Sequence, residues 1–365
     1  MRARAMALVM LMGGTPVDGA AAQFEGALRE AAANIPGAAA AVVTREGTWA
    51  GAVGVADLRT GRPMRTDTRL YVGSMSKPMT AAVALRLRAQ GIVDVDQPLV
   101  RYLRGWRSGE RIQLRHLLTH TAGIPREGGE YWFTADFPRT DDLRTLLRDA
   151  TLAHEPGERW LYSNAGYAIL GHALTVAANC SFEDLLEREL FEPLSMQRSG
   201  ARGPAPADLA MGYTAPHVDT GRGGRVFAGI GRRVGTRRER LYHDAQAMAP
   251  AFGMYSTATD MAQFLRALLQ SGQGLEESVR RDMLERKHTF HDNPDVGWTY
   301  GLRIVRDERG VYYRHNGWFA AHRSHLSFRT EEGVGVVVLT NADDGDPEGI
   351  GRALMNRALL RAATP

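Results

Sequence analysis

Lysine is almost missing from this chain: of 45 Lys plus Arg residues only Lys77 and Lys287 are lysine. Cysteine is scarcer still, because Cys180 stands alone, which excludes an internal disulfide and any zinc cluster built from several thiolates. No apolar run approaches the roughly 20 residues that cross a bilayer, so no membrane span is expected. The chain also lacks a strong excess of one charge. Its 45 basic residues face 41 acidic ones, and that near balance argues against nucleic acid as a partner. Apolar residues are not in short supply: 44% of 365 residues are hydrophobic, which is enough for a large core and excludes general disorder.

The N-terminus carries Arg2 and Arg4, the apolar stretch Ala5 to Met12, and small residues up to Ala20-Ala21-Ala22 before Gln23. This is the three-part layout of a secretory leader over residues 1–22. Export to the periplasm or the extracellular space is therefore expected, with a cytoplasmic location as the alternative. Residues 23–365 read as one catalytic unit. Ala38 to Thr44 and Thr48 to Ala56 are small and β-branched runs split by Arg45-Glu46-Gly47, a hairpin pattern. Tyr300 to Val305, Val311 to Arg314, His325 to Phe328 and Val334 to Leu339 are strand-like at the other end of the chain. Between them the pattern is helical, from Lys77 to Gln90 through Gly166 to Ala178 and Ser256 to Leu269, with Asp260 and Thr259 as N-terminal residues of the last. Strands at both ends must pair to bury their faces, which predicts an α+β fold. Its antiparallel sheet is built from both chain ends, in an α/β half over about 23–90 and 291–365. A largely helical half is inserted over about 91–290.

Several features carry little chemistry. The arginines between Arg222 and Arg240 are interleaved with glycine and read as a solvated loop. His116 and His120 have the i, i+4 spacing of a zinc pair but no Glu between them in the H-E-x-x-H sense, so no metal is expected. Tyr131-Trp132-Phe133 and Trp106 suit either a cleft wall or packing.

Three short motifs carry more. In Gly73-Ser74-Met75-Ser76-Lys77 the rare lysine stands three residues after a serine, at a strand-to-helix junction. That spacing puts both side chains on one helical face, and a buried Lys, unlike Arg, can lose its proton and accept one from a hydroxyl. Tyr162-Ser163-Asn164 offers a phenol able to relay a proton and an amide able to contact a substrate carbonyl, although taken singly the run is first a turn and an N-cap before the helix at Gly166. His315-Asn316-Gly317 lies on a strand. Gly317 leaves room for a substrate backbone along the strand edge, and the amide of Trp318 is placed to complete an oxyanion hole with that of Ser74.

In this order the three motifs resemble the active-site set of serine β-lactamases and penicillin-recognising D,D-peptidases, for which Ser-x-x-Lys with two partner motifs is diagnostic. Tyr-x-Asn and His-x-Gly are similar to the class C branch, which includes D-alanyl-D-alanine carboxypeptidases, D-aminopeptidases and β-lactamase-fold esterases. Further runs of the same kind are Leu117 to Pro125, Gly253 to Met261 and Val336 to Asn341. The resemblance implies a β-lactamase/transpeptidase-like fold. It implies Ser74 as nucleophile, Lys77 and Tyr162 as general bases, Asn164 as a substrate amide contact and His315 as a carboxylate or transition-state contact. It implies a covalent acyl-serine, no cofactor, and a small-molecule or short-peptide substrate. A carboxypeptidase or esterase is favoured over a true β-lactamase because His315 stands where class C β-lactamases carry Lys. A non-hydrolytic sensor or an acyltransferase is the alternative. The bulky Trp318-Phe319 after Gly317 departs from the family pattern and points to a narrowed or more apolar pocket.

Overall fold

A computed structural model describes residues 21–106, 108–127, 136–148, 151–201, 206–215, 230–241, 244–290 and 292–362. The leader reading over 1–22 falls almost wholly outside them, as do Tyr131-Trp132-Phe133 and the first part of the arginine-rich stretch.

The organising element is a nine-stranded sheet. It contains β1 (Gly37–Val43), β2 (Thr48–Asp57) and β3 (Arg62–Pro63) from the N-terminal side. From the C-terminal side come β9 (His288–Phe290), β10 (Asn293–Trp298), β11 (Arg303–Asp307), β12 (Gly310–Phe319), β13 (His322–Arg329) and β14 (Val334–Thr340). The order is β3-β2-β1-β14-β13-β12-β11-β10-β9, so the two ends of the chain meet where β1 pairs antiparallel with β14, Ala38 opposite Thr340. Short pairs lie outside it: β4 (Leu70–Tyr71) with β8 (Tyr255–Ser256), and β5 (Gly212–Tyr213), β6 (Ile230–Val234) and β7 (Arg237–Arg240) as a three-stranded sheet.

The sheet is covered on both faces, which is why β1 and β14 are buried at every position. Side chains alternate between the faces. Ala38, Ala40, Val336 and Val338 pack with Phe24 and Leu28 of helix α1 (Ala21–Ala31) and Leu354 of the C-terminal helix Pro347–Ala362. Ala39, Ala41, Val337 and Leu339 face the larger core, which includes helix α2 (Ser76–Ala89) and the helix Ala258–Leu269. Each fully buried Leu or Phe contributes about 1.5–3 kcal/mol. The alanines of β1 hold the two helical layers close. The helix Ala258–Leu269 is capped by Thr257, whose hydroxyl accepts from the Asp260 amide at 3.0 Å, rather than by Thr259 or Asp260.

One expectation is overturned. The second part of the Arg222 to Arg240 stretch is a β-hairpin, not a solvated loop: Arg237 is buried and bidentate to Asp344, at 2.7 and 2.9 Å. A charge-assisted fork of that geometry orders a segment whose own residues bury little apolar area.

Candidate active site

Ser74 sits in a single 3-10 turn, Gly73–Met75, that leads directly into α2. The turn is pinned from several sides. Ser76 Oγ donates to Gly73 O at 2.7 Å and accepts from Met254 N at 3.1 Å, while Ser324 Oγ donates to Val72 O at 2.7 Å. Gly73 has φ 53°, a left-handed conformation that glycine adopts without strain. A Cβ there would overlap the Trp318 amide, and one on Gly317 would overlap Val72 O and Ser324 Oγ. The missing side chain of Gly317 is thus accounted for by the approach of Val72, beside the turn that carries Ser74, and of Ser324. Beyond Arg314, β12 pairs only with β13, so this free edge from His315 to Phe319 is the one that meets the turn. The close approach sets the Trp318 amide against Gly73, the residue before Ser74.

Lys77 is fully buried. Its Nζ lies 3.2 Å from Ser74 Oγ, 2.8 Å from Asn164 Oδ1 and 2.7 Å from Ala251 O. The last carbonyl belongs to a π-helical turn, Ala249–Gly253, whose Pro250 O likewise accepts from Thr80 Oγ1 at 2.8 Å. Such turns often mark functional sites because they redirect backbone groups. Burial holds the amine well below the usual lysine range, opposed by the Glu127 charge and reinforced by Arg126. An ammonium would donate to all three oxygens, whereas the neutral amine that burial favours donates to two. Asn164 Oδ1 and Ala251 O can only accept, so they take its two N–H groups, and its lone pair is left for the Ser74 hydroxyl.

Tyr162 hydrogen-bonds Ser74, and its ring lies 4.7 Å from Lys77 Nζ and 5.0 Å from the Arg126 guanidinium. Burial nevertheless pushes the phenol well above its usual value, against the hydrogen bond from Ser74 and the Arg126 charge. Tyr162 is therefore held as the neutral phenol. Ser163, between Tyr162 and Asn164, is the N-cap of the helix Asn164–Ala178, accepting from Gly166 N at 2.8 Å, as the capping reading expected. Asn164 differs from expectation: Lys77 takes its oxygen, and Glu127 Oε1 accepts from its nitrogen at 2.6 Å. Both ends of the amide serve the site itself.

His315 lies on β12. Its Nδ1 donates to Asn316 O at 2.7 Å, and burial, then the Lys77 charge, lower its pKa to about 3. A neutral ring brings no positive charge to a carboxylate, and Nε2 remains a buried acceptor without a partner. His116 and His120 part company. His116 Nδ1 accepts from Gln113 N at 3.2 Å in a capping box, whereas His120 stacks 4.4 Å from Tyr162 and accepts from Ser163 N at 3.1 Å.

These groups open onto a cleft of about 970 Å³ lined by Ser74, Tyr162, Asn164, His315, Gly317 and Trp318. Of the bulky Trp318-Phe319 pair only Trp318 lines it, with Nε1 donating to Asp343 at 3.1 Å; Phe319 packs 4.7 Å from Tyr71 and 5.2 Å from Phe252 in the core. Glu127, Arg303 and Arg314 also line the cleft, although no local sequence motif marks any of them.

Residues 22–360 match the family described as Beta-lactamase. The chain is 28% identical to the esterase EstB of Burkholderia gladioli over 88% of its own length and 89% of the relative's. It is 31% identical to penicillin-binding protein 4 of Amycolatopsis lactamdurans, covering 84% of this chain and 81% of that protein. The D-amino acid amidase of Ochrobactrum anthropi SV3 superposes with a TM-score of 0.78 at 23% identity, over 93% of this chain and 97% of that one. The fold is the β-lactamase/transpeptidase fold. With a family match across nearly its whole length, the chain belongs to the beta-lactamase family.

Proposed function

We propose that this family member is an acyl-serine hydrolase in which neutral Lys77 accepts the Ser74 proton. The carrying observation is the fully buried amine, disfavoured as an ammonium by its burial. Its nitrogen lies 2.8 Å from Asn164 Oδ1, 2.7 Å from Ala251 O and 3.2 Å from Ser74 Oγ, so that in the neutral form the lone pair falls to the serine. Oγ attacks the substrate carbonyl, and the amides of Ser74 and Trp318 hold the oxyanion. As the tetrahedral species collapses, the bond to the leaving amine or alkoxide breaks. Tyr162 hands its proton to that group and regains one from the Lys77 ammonium. Water then attacks the acyl-serine by the reverse proton route and releases the acid. The relative named as an esterase supports an ester substrate, and the one named as a penicillin-binding protein supports recognition of penicillin-like amides.

One observation favours a D,D-peptidase-type substrate that bears a free carboxylate. Arg314 is paired with Glu348, but Arg303, opposite it on β11, forms no ion pair among the described residues, and its Nε is buried without a partner. Both line the cleft. With His315 neutral, Arg303 is the guanidinium we assign to that charge, with Arg323, which also lines the cleft and forms no ion pair among the described residues, as the second candidate.

The test is to incubate wild type and Ser74→Ala with a fluorescent penicillin, a chromogenic cephalosporin and a p-nitrophenyl ester. Ser74-dependent turnover of the ester supports the hydrolase. Labelling by penicillin without turnover of any substrate supports a sensor instead, and no Ser74-dependent reaction refutes the acyl-serine reading for these classes.

A further inference from the structure

Glu127 follows Arg126 in the loop after the short helix Leu114–Leu118, and its side chain is 24% exposed on the cleft wall. The loop is held to the site by its backbone: Arg126 O accepts from Asn164 N at 2.9 Å and from Ala165 N at 3.2 Å. Its carboxylate Oε1 then meets Asn164 Nδ2 at 2.6 Å.

We propose that Glu127 is a positioning residue that fixes the orientation of the Asn164 amide and thereby sets which protons Lys77 can hold. This rests on the acyl-serine reading of the site. An amide has one donor end and one acceptor end, and a carboxylate can only accept. Glu127 therefore forces Nδ2 toward itself and Oδ1 toward Lys77. Were the amide turned over, Lys77 would face an N–H in place of an acceptor. One of its own hydrogens would lose its partner, and its lone pair would be drawn toward Asn164 instead of Ser74. The orientation keeps that lone pair on the nucleophile.

Glu127 acts a second time through its charge, which favours the protonated amine across the short span of the Asn164 side chain. The groups facing Lys77 are Glu127 and Arg126 from this loop, Tyr162 and Tyr167 from the segment Tyr162 to Tyr167, and the neutral rings of His120 and His315. Glu127 supplies the negative charge in that set.

Two near-isosteric variants separate the roles, each assayed as kcat/KM against pH on a p-nitrophenyl ester shown to need Ser74. Glu127→Gln keeps an acceptor oxygen, which Arg126 at 3.3 Å also favours on that side, and loses the charge. It should keep the plateau within about threefold, with the acid limb moved to lower pH because Lys77 loses its proton more easily. Glu127→Met keeps the bulk and loses the acceptor. Its plateau should fall by about tenfold to a hundredfold, the cost of a lost charge-assisted hydrogen bond. A Glu127→Met plateau equal to wild type, or Glu127→Gln as impaired as Glu127→Met, overturns the orientation role. An acid limb that stays put in Glu127→Gln overturns the charge role. Matching melting temperatures for the three proteins, expected for a partly exposed loop side chain, tie the changes to the site. If Ser74→Ala itself still turns over the ester, the acyl-serine reading fails first and independently of Glu127.

Discussion

Gly317→Ala is the substitution whose effect the geometry fixes most tightly. A methyl group there would lie more than about 1 Å inside ordinary van der Waals contact with Val72 O and with Ser324 Oγ. Neither neighbour is free to yield, since Ser324 Oγ donates to Val72 O at 2.7 Å and Val72 N donates to Met254 O at 3.0 Å. The relief available is for the turn Gly73–Met75 and strand β12 to part, which draws the amides of Ser74 and Trp318 away from a common point. Loss of one oxyanion donor costs about 10²–10³ in kcat. Overpacking of a buried contact costs about 1–3 kcal/mol in stability. The assay is kcat on a p-nitrophenyl ester together with the melting temperature. Gly26→Ala, in α1 with nothing within 4 Å of its added Cβ, serves as the control and should stabilise by about 0.5–1 kcal/mol without touching kcat. A Gly317→Ala enzyme with kcat within threefold of wild type would refute the assignment of the oxyanion hole to this junction.

Two further outcomes are expected. Arg303→Gln should raise KM by about tenfold for substrates that bear a free carboxylate and leave neutral esters within about twofold, from the loss of one charge-assisted pair; equal effects on both would place Arg303 in packing alone. Stability should fall as pH drops from about 6.5 toward 4. His315, His322 and His325 are buried with pKa lowered to about 3, 4 and 4, so the folded protein keeps them neutral while the unfolded chain takes up protons. Each imidazole costs about 2 kcal/mol at pH 5. A melting temperature flat between pH 7 and 5 by calorimetry would contradict this.

What was legible in the sequence was local. Ser74 and Lys77 lie within one turn, and the strand pairs around Gly47, Gly310 and Gly333 announce themselves by turn residues between apolar runs. The short strands β9 and β10 were not legible, because β9 is only three residues long and the exposed first half of β10, Asn293 to Asp295, shows no alternation. The hairpin at Ile230–Arg240 was hidden for a different reason: its order comes from Asp344, more than a hundred residues away, and not from its own composition. The same holds within the site. The Ala251 carbonyl and Glu127 reach Lys77 and Asn164 through tertiary placement that no spacing rule records. His315 and Tyr162 were identified as residues but not in their electrostatics, since desolvation, which depends on the finished fold, outweighs the Arg126 charge at Tyr162 and acts with the Lys77 charge at His315.

The account depends most on Lys77 being a base and not merely a cation. Intact-mass and peptide analysis after brief reaction with a p-nitrophenyl ester or a penicillin reads this directly, comparing wild type with Lys77→Arg. The expected result is an acyl adduct on the Ser74 peptide in wild type and none in Lys77→Arg, which keeps the charge but cannot give up its proton. An adduct that forms at comparable rate in Lys77→Arg, or on a residue other than Ser74, would contradict it.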